Sequence, residues 1–365
     1  MKKVGILTFH DALNYGAVLQ AYALQTFLSQ QGNLDVEIID YKPDYRKSFA
    51  PQKFSSRNPL KKVVAKILNL YYSDSFKKRD NRFIDFATDS QHLSERKYRS
   101  IEDFEKYCDE YDILITGSDQ VFNPKRDSKI YYLGFNANNC LRVAYAPSLG
   151  LSSISIETEN MIAPWVRAFD AISCREESGA KILGKIRGSG VDVVCDPVCL
   201  LSKEQWNELA VQPSNKDFIF VFDLNGGEPL FTLARKLSEQ TGMPIIYSAL
   251  KAIHPYVNNC DTRHDLGPKE WLGYISKASY VVTDSFHGTM LSLILGTPVI
   301  NKIAVKSTSS RITSIMSRLG VQNQMIDEIN QLDIRNIHFN NYYQKLDAFV
   351  SESKKYLISA INQNC

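Results

Sequence analysis

The stretch YVVTDSFHGTMLSLILGTPVI, residues 280–300, decides how the rest of the chain is read. Its opening β-branched and aromatic residues predict a buried strand. Asp284 and Ser285 make a polar turn, and a helix follows that stops at Gly296, Thr297 and Pro298. His287 and Gly288 therefore lie in the first turn of a helix that starts directly behind a strand. A lone histidine is more often structural than catalytic. At this place, however, helix N–H groups and the helix dipole gather an anion. An anion held there favours the charged imidazole, which suits a general acid acting on a phosphate ester.

The pattern repeats outward from this stretch. DFIFVFDL, MPIIYSAL, SYVVTDS and TPVINKI predict strands; PLFTLARKLSEQTG, PKEWLGYISKA and SSRITSIMSRLG predict helices between or after them. The N-terminal half reads the same way. KKVGILTFH, DVEIIDY, YDILITGSD, LRVAYAPSLG, FDAISCRE and VDVVCDP predict strands, and NYGAVLQAYALQTFLSQQG a helix closed by Gly32. Further helices are expected near 75–87 and 176–185. The fold class is α/β, with a Rossmann-like domain over residues 1–200 and a second over 201–340, facing a cleft. The amphipathic helix at about 341–365 is expected to pack back on the first domain.

Bulk properties narrow the function. A 365-residue chain with 44% hydrophobic and 23% charged residues is an ordinary globular protein with room for two domains. The net charge of only +3 gives no electrostatic footprint for nucleic acid. MKKVGILTFHDALNYG is too short in its apolar run for a signal peptide, and no run reaches membrane-span length. The seven scattered cysteines read as reduced thiols in a cytoplasmic protein. Cys195 and Cys199 are the one close pair, and no further ligands stand near them, so no metal is expected. No cofactor is expected either: the G-x-G-x-x-G fingerprint of dinucleotide sites is absent.

In open α/β sheets ligands bind at the carboxyl ends of strands. Four such turns carry candidate residues. In FHDALNYGAV, Asn14, Tyr15 and Gly16 form either a plain helix cap or a turn whose N–H groups meet a polar ligand. In TGSDQVFNP, Asp119, Gln120 and Phe122 are either a turn or a sugar-recognising set of acceptors and a stacking ring. In SCREESG, Arg175 is either a surface ion-pair partner or a bidentate anion clamp. The fourth is the Ser285–Gly288 turn.

Taken in order, NYGAVLQAYALQ, GSDQVFNP, SCREESG…VDVVCDPVCLL and YVVTDSFHGTMLSLILGTPVI resemble the polysaccharide pyruvyl transferase family, over about residues 1–320. The resemblance implies a GT-B-like fold of two Rossmann-like domains. It implies transfer of pyruvate from phosphoenolpyruvate (PEP) to two hydroxyls of a sugar, giving a cyclic ketal and free phosphate. The family's histidine falls on His287, with Ser285 and Gly288 matching, and the arginine of its RE turn falls on Arg175. Some members carry an arginine where this chain has Ser285. Another cation must then complete the anion site, and Lys302, Lys306 and Arg311 are the candidates. Position suggests Asp119 as the base for the sugar hydroxyl, with Asn14, Tyr15, Gly16, Gln120 and Phe122 on the acceptor side. The implied partner is a lipid-linked oligosaccharide, which would place the protein at the inner face of the membrane.

That last point bears on LKKVVAKILNLYY. Its stripe Leu60, Val63, Val64, Ile67, Leu68 and Tyr71, with Lys61, Lys62 and Lys66 opposite, serves equally to pack on the N-terminal sheet, the favoured reading, or to make weak peripheral membrane contact. The main alternative function is a GT-B glycosyltransferase using a nucleotide sugar. Such enzymes commonly hold the donor ribose with a C-terminal-domain glutamate, and Glu270 and Asp284 are poorly placed for that task. A non-catalytic carbohydrate-binding module is a third reading, disfavoured by the intact His287 and Arg175 turns.

Overall fold

The computed structural model describes residues 1–43, 63, 66, 67, 70–124, 129–137, 140–224, 227–249, 260–302, 306–326 and 342–363. The chain divides into two compact units. One comprises residues 1–48, 87–201 and 341–365; the other comprises 49–86 and 202–340.

The first unit is built on a seven-stranded sheet: β1 (Lys2–Leu7), β2 (Leu34–Tyr41), β3 (Leu93–Tyr98), β4 (Ile113–Thr116), β5 (Leu141–Ala144), β6 (Ala171–Cys174) and β7 (Asp192–Val193). All pairings are parallel, in the order β3-β2-β1-β4-β5-β6-β7. The chain thus winds one way from β1 to β3 and the other way from β4 to β7. The reversal leaves a crevice at the carboxyl ends of β1 and β4. The central strands read as continuous apolar runs because both faces are covered. Helix α1 (Tyr15–Ser29) is buried along most of its length, from Tyr15 to Leu28. The edge strand β3 was not expected from the sequence. Its residues LSERKY place three consecutive exposed charges, Glu95, Arg96 and Lys97, between buried Ser94 and Tyr98, and no apolar run announces it.

The second unit carries a five-stranded parallel sheet: β8 (Ile219–Phe222), β9 (Ile245–Ser248), β10 (Asp261–Arg263), β11 (Tyr280–Thr283) and β12 (Val299–Asn301), in the order β10-β9-β8-β11-β12. Here the reversal falls between β8 and β11. Helix α2 (Ser73–Asp89) begins in this unit and ends in the first. The expected first domain, residues 1–200, is therefore interrupted: residues 49–86 group with the second unit. Side-chain chemistry explains the placement. Arg82 donates to the Asp265 carbonyl at 2.6 Å and pairs with Glu270 at 3.0 Å. The rings of Tyr72 and Phe76 lie 4.3 and 5.4 Å from that of His264.

Helix α3 (Ile156–Arg167) and helix α4 (Glu177–Arg187) pack on the first sheet; α5 (Glu228–Thr241), α6 (Pro268–Lys277), α7 (Phe286–Leu295) and α8 (Lys306–Leu319) belong to the second unit. Helix α7 stops at Gly296, whose φ of 78° is the left-handed value that closes a helix at least cost in glycine. The last helix, α9 (Tyr342–Ile361), belongs to the first unit. It buries Leu346, Phe349 and Leu357, and its Ser353 Oγ accepts from Cys195 N at 2.8 Å.

Of the stripe within 60–71, Val63, Ile67 and Tyr71 are exposed, as is the neighbouring Leu70. These residues do not pack on a sheet, against the favoured reading. Leu60, Lys61, Lys62, Val64 and Leu68 lie outside the described residues. No helix among the described residues is long and apolar enough to cross a membrane.

Candidate active site

Each unit gathers polar side chains at its own strand reversal. In the first, β4 runs into Gly117, Ser118 and Asp119. Gly117 has φ 120°, and a Cβ there would meet the Tyr145 carbonyl oxygen at 2.0 Å, so only glycine lets this turn cross the end of β5. Gln20, buried on α1, ties the turn to the end of β1. Its Nε2 donates to Thr8 Oγ1 at 2.8 Å and its Oε1 accepts from Ser118 N at 3.0 Å. Beside them, His10 Nε2 lies 3.1 Å from Asp40 Oδ1, which Lys42 also approaches at 3.1 Å. Burial pushes the Asp40 pKa up, but these two partners outweigh it and hold the carboxyl below its ordinary value.

Arg175 is the centre of the first site. It is buried, and its Nη1 donates to Asp196 Oδ2 at 2.6 Å while Nη2 lies 3.6 Å from Asp119 Oδ1. Asp196 also accepts from Ser118 Oγ at 3.1 Å and from Val198 N at 3.1 Å. The neighbouring Glu176 Oε1 accepts from Ser148 Oγ at 2.9 Å and Leu149 N at 3.0 Å. Burial works against the Arg175 charge, yet Asp196, then Asp119 and Glu176, raise its pKa above the ordinary arginine value. Arg175 is not the surface ion-pair partner of the first reading: the guanidinium is an interior cation facing two carboxylates.

The acceptor-side expectations divide. Asn14 caps α1, its Oδ1 accepting from Ala17 N at 3.3 Å. Gly16 is buried in the first turn, and Gln120 is half-buried. Phe122 is not a stacking face for sugar. It is fully buried, with its ring stacked on Tyr132 at 4.1 Å, because the turn after β4 folds back into the apolar core. Tyr15, 1% exposed, presents no open face either.

In the second unit the turn between β11 and α7 is held by short hydroxyl bonds. Thr283 Oγ1 donates to the Phe222 carbonyl at 2.6 Å and accepts from Ser285 N at 3.0 Å. Ser285 caps α7, its Oγ accepting from Gly288 N at 3.2 Å. Its hydroxyl thus shapes the helix N-terminus, which is the local requirement that places a serine there. Asp284 Oδ1 accepts from Leu224 N at 2.8 Å, joining the ends of the two central strands. His287 is buried in the first helical turn, its ring edge-on to Phe286 at 5.4 Å. Asn301, at the end of β12, donates to Thr283 O at 3.1 Å and Thr289 Oγ1 at 2.7 Å, bracing the turn from its other side. Lys302 follows β12 half-buried, and Arg311 is buried on α8. Lys306 begins α8, and its side chain lies outside the described residues.

The structure therefore brings Asp119 and Arg175 together in the first unit. It places Ser285, His287, Gly288, Lys302 and Arg311 in the second. Sequence reading missed Gln20, Glu176 and Asp196. Two signals were available: a glutamine inside the apolar helix AVLQAYAL, and an aspartate followed by proline at a strand end. Among the described residues, no group of His, Cys, Asp or Glu could hold a metal ion.

The architecture is GT-B-like: parallel α/β sheets in two domains. The chain is similar to a putative UDP-N-acetylglucosamine 2-epimerase from Listeria monocytogenes at 9% identity and TM-score 0.54, over 98% of this chain and 95% of that one. It is similar to MnaA of S. aureus, in a co-structure with UDP, at 12% identity and TM-score 0.53, over 100% and 99%. It is similar to the UDP-GlcNAc 2-epimerase of Neisseria meningitidis, bound to UDP-GlcNAc, at 10% identity and TM-score 0.51, over the whole of both chains. At these identities the likeness concerns the fold alone. No curated protein sequence matches the chain significantly. The polysaccharide pyruvyl transferase family model matches residues 14–307, and the chain belongs to that family.

Proposed function

We propose that the protein transfers pyruvate from PEP to two hydroxyls of a sugar, forming a cyclic ketal and releasing phosphate. The observation that carries this reading is family membership combined with His287 in the capped first turn of α7. PEP brings a carboxylate and a phosphate, and such a ligand calls for cations and helix N–H groups. In the reaction, the PEP methylene carbon takes a proton and a sugar hydroxyl attacks the adjoining cationic carbon. Phosphate leaves, and the second hydroxyl closes the ring. His287 is assigned as general acid at the phosphate, with Arg175, Ser285 and Gly288 on the donor side and the cations Lys302, Lys306 and Arg311 around the anion. Asp119 is assigned as the base that takes the hydroxyl proton. Asn14, Gly16 and Gln120 line the acceptor side. No metal or cofactor enters this scheme.

The acceptor in this reading is a lipid-linked glycan. Exposed Val63, Ile67, Leu70 and Tyr71, beside Lys66, fit weak peripheral contact with an anionic membrane. One experiment tests both levels. The protein and PEP are incubated with a panel of sugars, free and on a lipid carrier in anionic vesicles. Mass spectrometry then looks for a product heavier by PEP less phosphoric acid. Absence of that product, with a thermal shift given by UDP and none by PEP, would transfer the assignment to nucleotide-sugar chemistry. Equal rates on free and vesicle-borne acceptor, without co-sedimentation, would remove the membrane contact.

A further inference from the structure

One amide bridges both flanks of the turn that carries His287. Asn301 ends β12, beside its sheet partner Thr283 on β11. Its Nδ2 donates to the Thr283 carbonyl at 3.1 Å, ahead of His287 in the chain, and to Thr289 Oγ1 at 2.7 Å, behind it. Thr289 Oγ1 in turn donates to the Ser285 carbonyl at 2.8 Å. Donor counting fixes which way the amide faces. A carbonyl only accepts, and Thr289 has given its proton to Ser285, so both partners of Asn301 require an N–H. The Oδ1 atom therefore faces away from them, buried without a hydrogen-bond partner among the described residues. Asn301, Thr283 and Thr289 are each fully buried.

We propose that Asn301 is a positioning residue for His287: its amide fixes the start of α7 against the sheet and so sets where the imidazole stands. The unpaired Oδ1 is the first reason. Burying an acceptor without a partner is unfavourable, and an apolar residue of similar size avoids that penalty. Asparagine here forgoes stability and supplies two donors, both aimed at residues that flank His287. The second reason is the division of labour with Ser285. The Ser285 cap takes the Gly288 N–H at 3.2 Å, a bond within the turn itself. It shapes the helix start but does not tie it to a neighbour. Asn301 supplies that tie from a strand whose own place is fixed. Residues 299–301 pair with β11, and the Asn301 carbonyl accepts from Ile326 N at 2.9 Å. Such a tie matters for catalysis, because a shift of about 1 Å in a reacting group can lower a rate by about 10²-fold. Asn301 acts through Thr283 and Thr289. The acid role of His287 rests on the function proposed above; the positioning of its ring does not.

The test compares full-length Asn301→Ala, Asn301→Asp, Thr289→Val and Thr289→Ser. Ketal formation should fall by about 10- to 100-fold in Asn301→Ala and Thr289→Val, while the KM for PEP changes by less than about threefold. Asn301→Asp keeps the shape but turns both donors into acceptors, so it should lose at least as much. Thr289→Ser keeps the hydroxyl and should recover turnover to within about threefold of wild type. The double variant Asn301→Ala/Thr289→Val should lose little more than the worse single one, because both break the same chain. A merely structural network predicts that turnover and PEP affinity fall together with the melting temperature; that result overturns the positioning. A second readout needs no turnover. In spectra of protein labelled with ¹⁵N-histidine, the His287 signal is assigned by its loss in His287→Gln. It should shift or broaden in Asn301→Ala and Thr289→Val, while the signal of His10 in the first unit stays in place. An unmoved His287 signal in these variants, once folded, overturns the positioning. Should the Asn301 variants fail to fold, the Thr289 pair decides. A moved His287 signal in a protein that makes no ketal keeps the positioning and discards the acid role. Ketal formed at the wild-type rate in Asn301→Ala does the reverse.

Discussion

The two strand reversals share a topology and differ in how they hold polarity. In the first unit, side chains meet side chains: Arg175 faces Asp196 and Asp119, and His10 faces Asp40. In the second, apart from Asn301 on Thr289 Oγ1, side chains meet backbone. Ser285 takes the Gly288 N–H, Asp284 takes the Leu224 N–H, and Thr283 gives its proton to the Phe222 carbonyl. The backbone-braced turn presents a fixed field at the start of α7. The first site is thus a network of side-chain ion pairs, and the second a mount that holds the turn carrying His287.

The largest effect that bears on this contrast is expected at His287. If the second turn is a rigid mount for a proton donor, His287→Ala should lower turnover by about 10²–10⁴-fold while the protein still folds. His287→Gln should recover PEP binding better than turnover. Steady-state rates set beside melting temperatures check this. Near wild-type ketal formation in well-folded His287→Ala would make the imidazole structural and erase the difference between the sites.

A smaller effect is expected at the mount itself. Ser285→Ala removes the cap of α7 and should cost about 1 kcal/mol of stability. Because the cap shapes the turn that carries His287, turnover should fall more than PEP affinity. Equal loss of both, or none, would mean that the fixed geometry of this turn is not what positions the imidazole.

The smallest effect is a difference in acid response. In the second unit, burial and then the Arg79 charge lower the His264 pKa to about 4. A depressed histidine contributes stability that is full above its unfolded value of about 6.5 and is lost as pH falls toward 4. Asp40 in the first unit is also depressed, but from 3.8, so its contribution persists until the pH drops below that range. Melting curves between pH 7 and 3 should therefore show an upper loss that His264→Phe abolishes and a lower loss that Asp40→Asn reduces. A single transition unaffected by His264→Phe would contradict the separation.

Much of this was legible along the chain. The helix over NYGAVLQAYALQ, the strands DILIT and YVVT, and the histidine behind a strand all announce themselves locally. Strong apolar runs ended by glycine, asparagine or serine carry their own boundaries. What was not legible follows from the same physics. The edge strand LSERKY has a charged outer face and no apolar run, so only its pairing with β2 makes it a strand. Phe122 beside Asp119 looked like a sugar platform because sequence gives neighbours, not directions; its ring points into the core against Tyr132.

The sequence alone determined the α/β class, the family, and the residue types at each strand-end turn, since these depend on local periodicity and on motifs read in order. Tertiary structure alone decided which unit residues 49–86 join. It alone showed that Asp196, 21 positions beyond Arg175, accepts from that residue's guanidinium at 2.6 Å. Burial and ion pairing are set by where strands stop relative to one another in a sheet. That is a property of packing, and no window of sequence contains it.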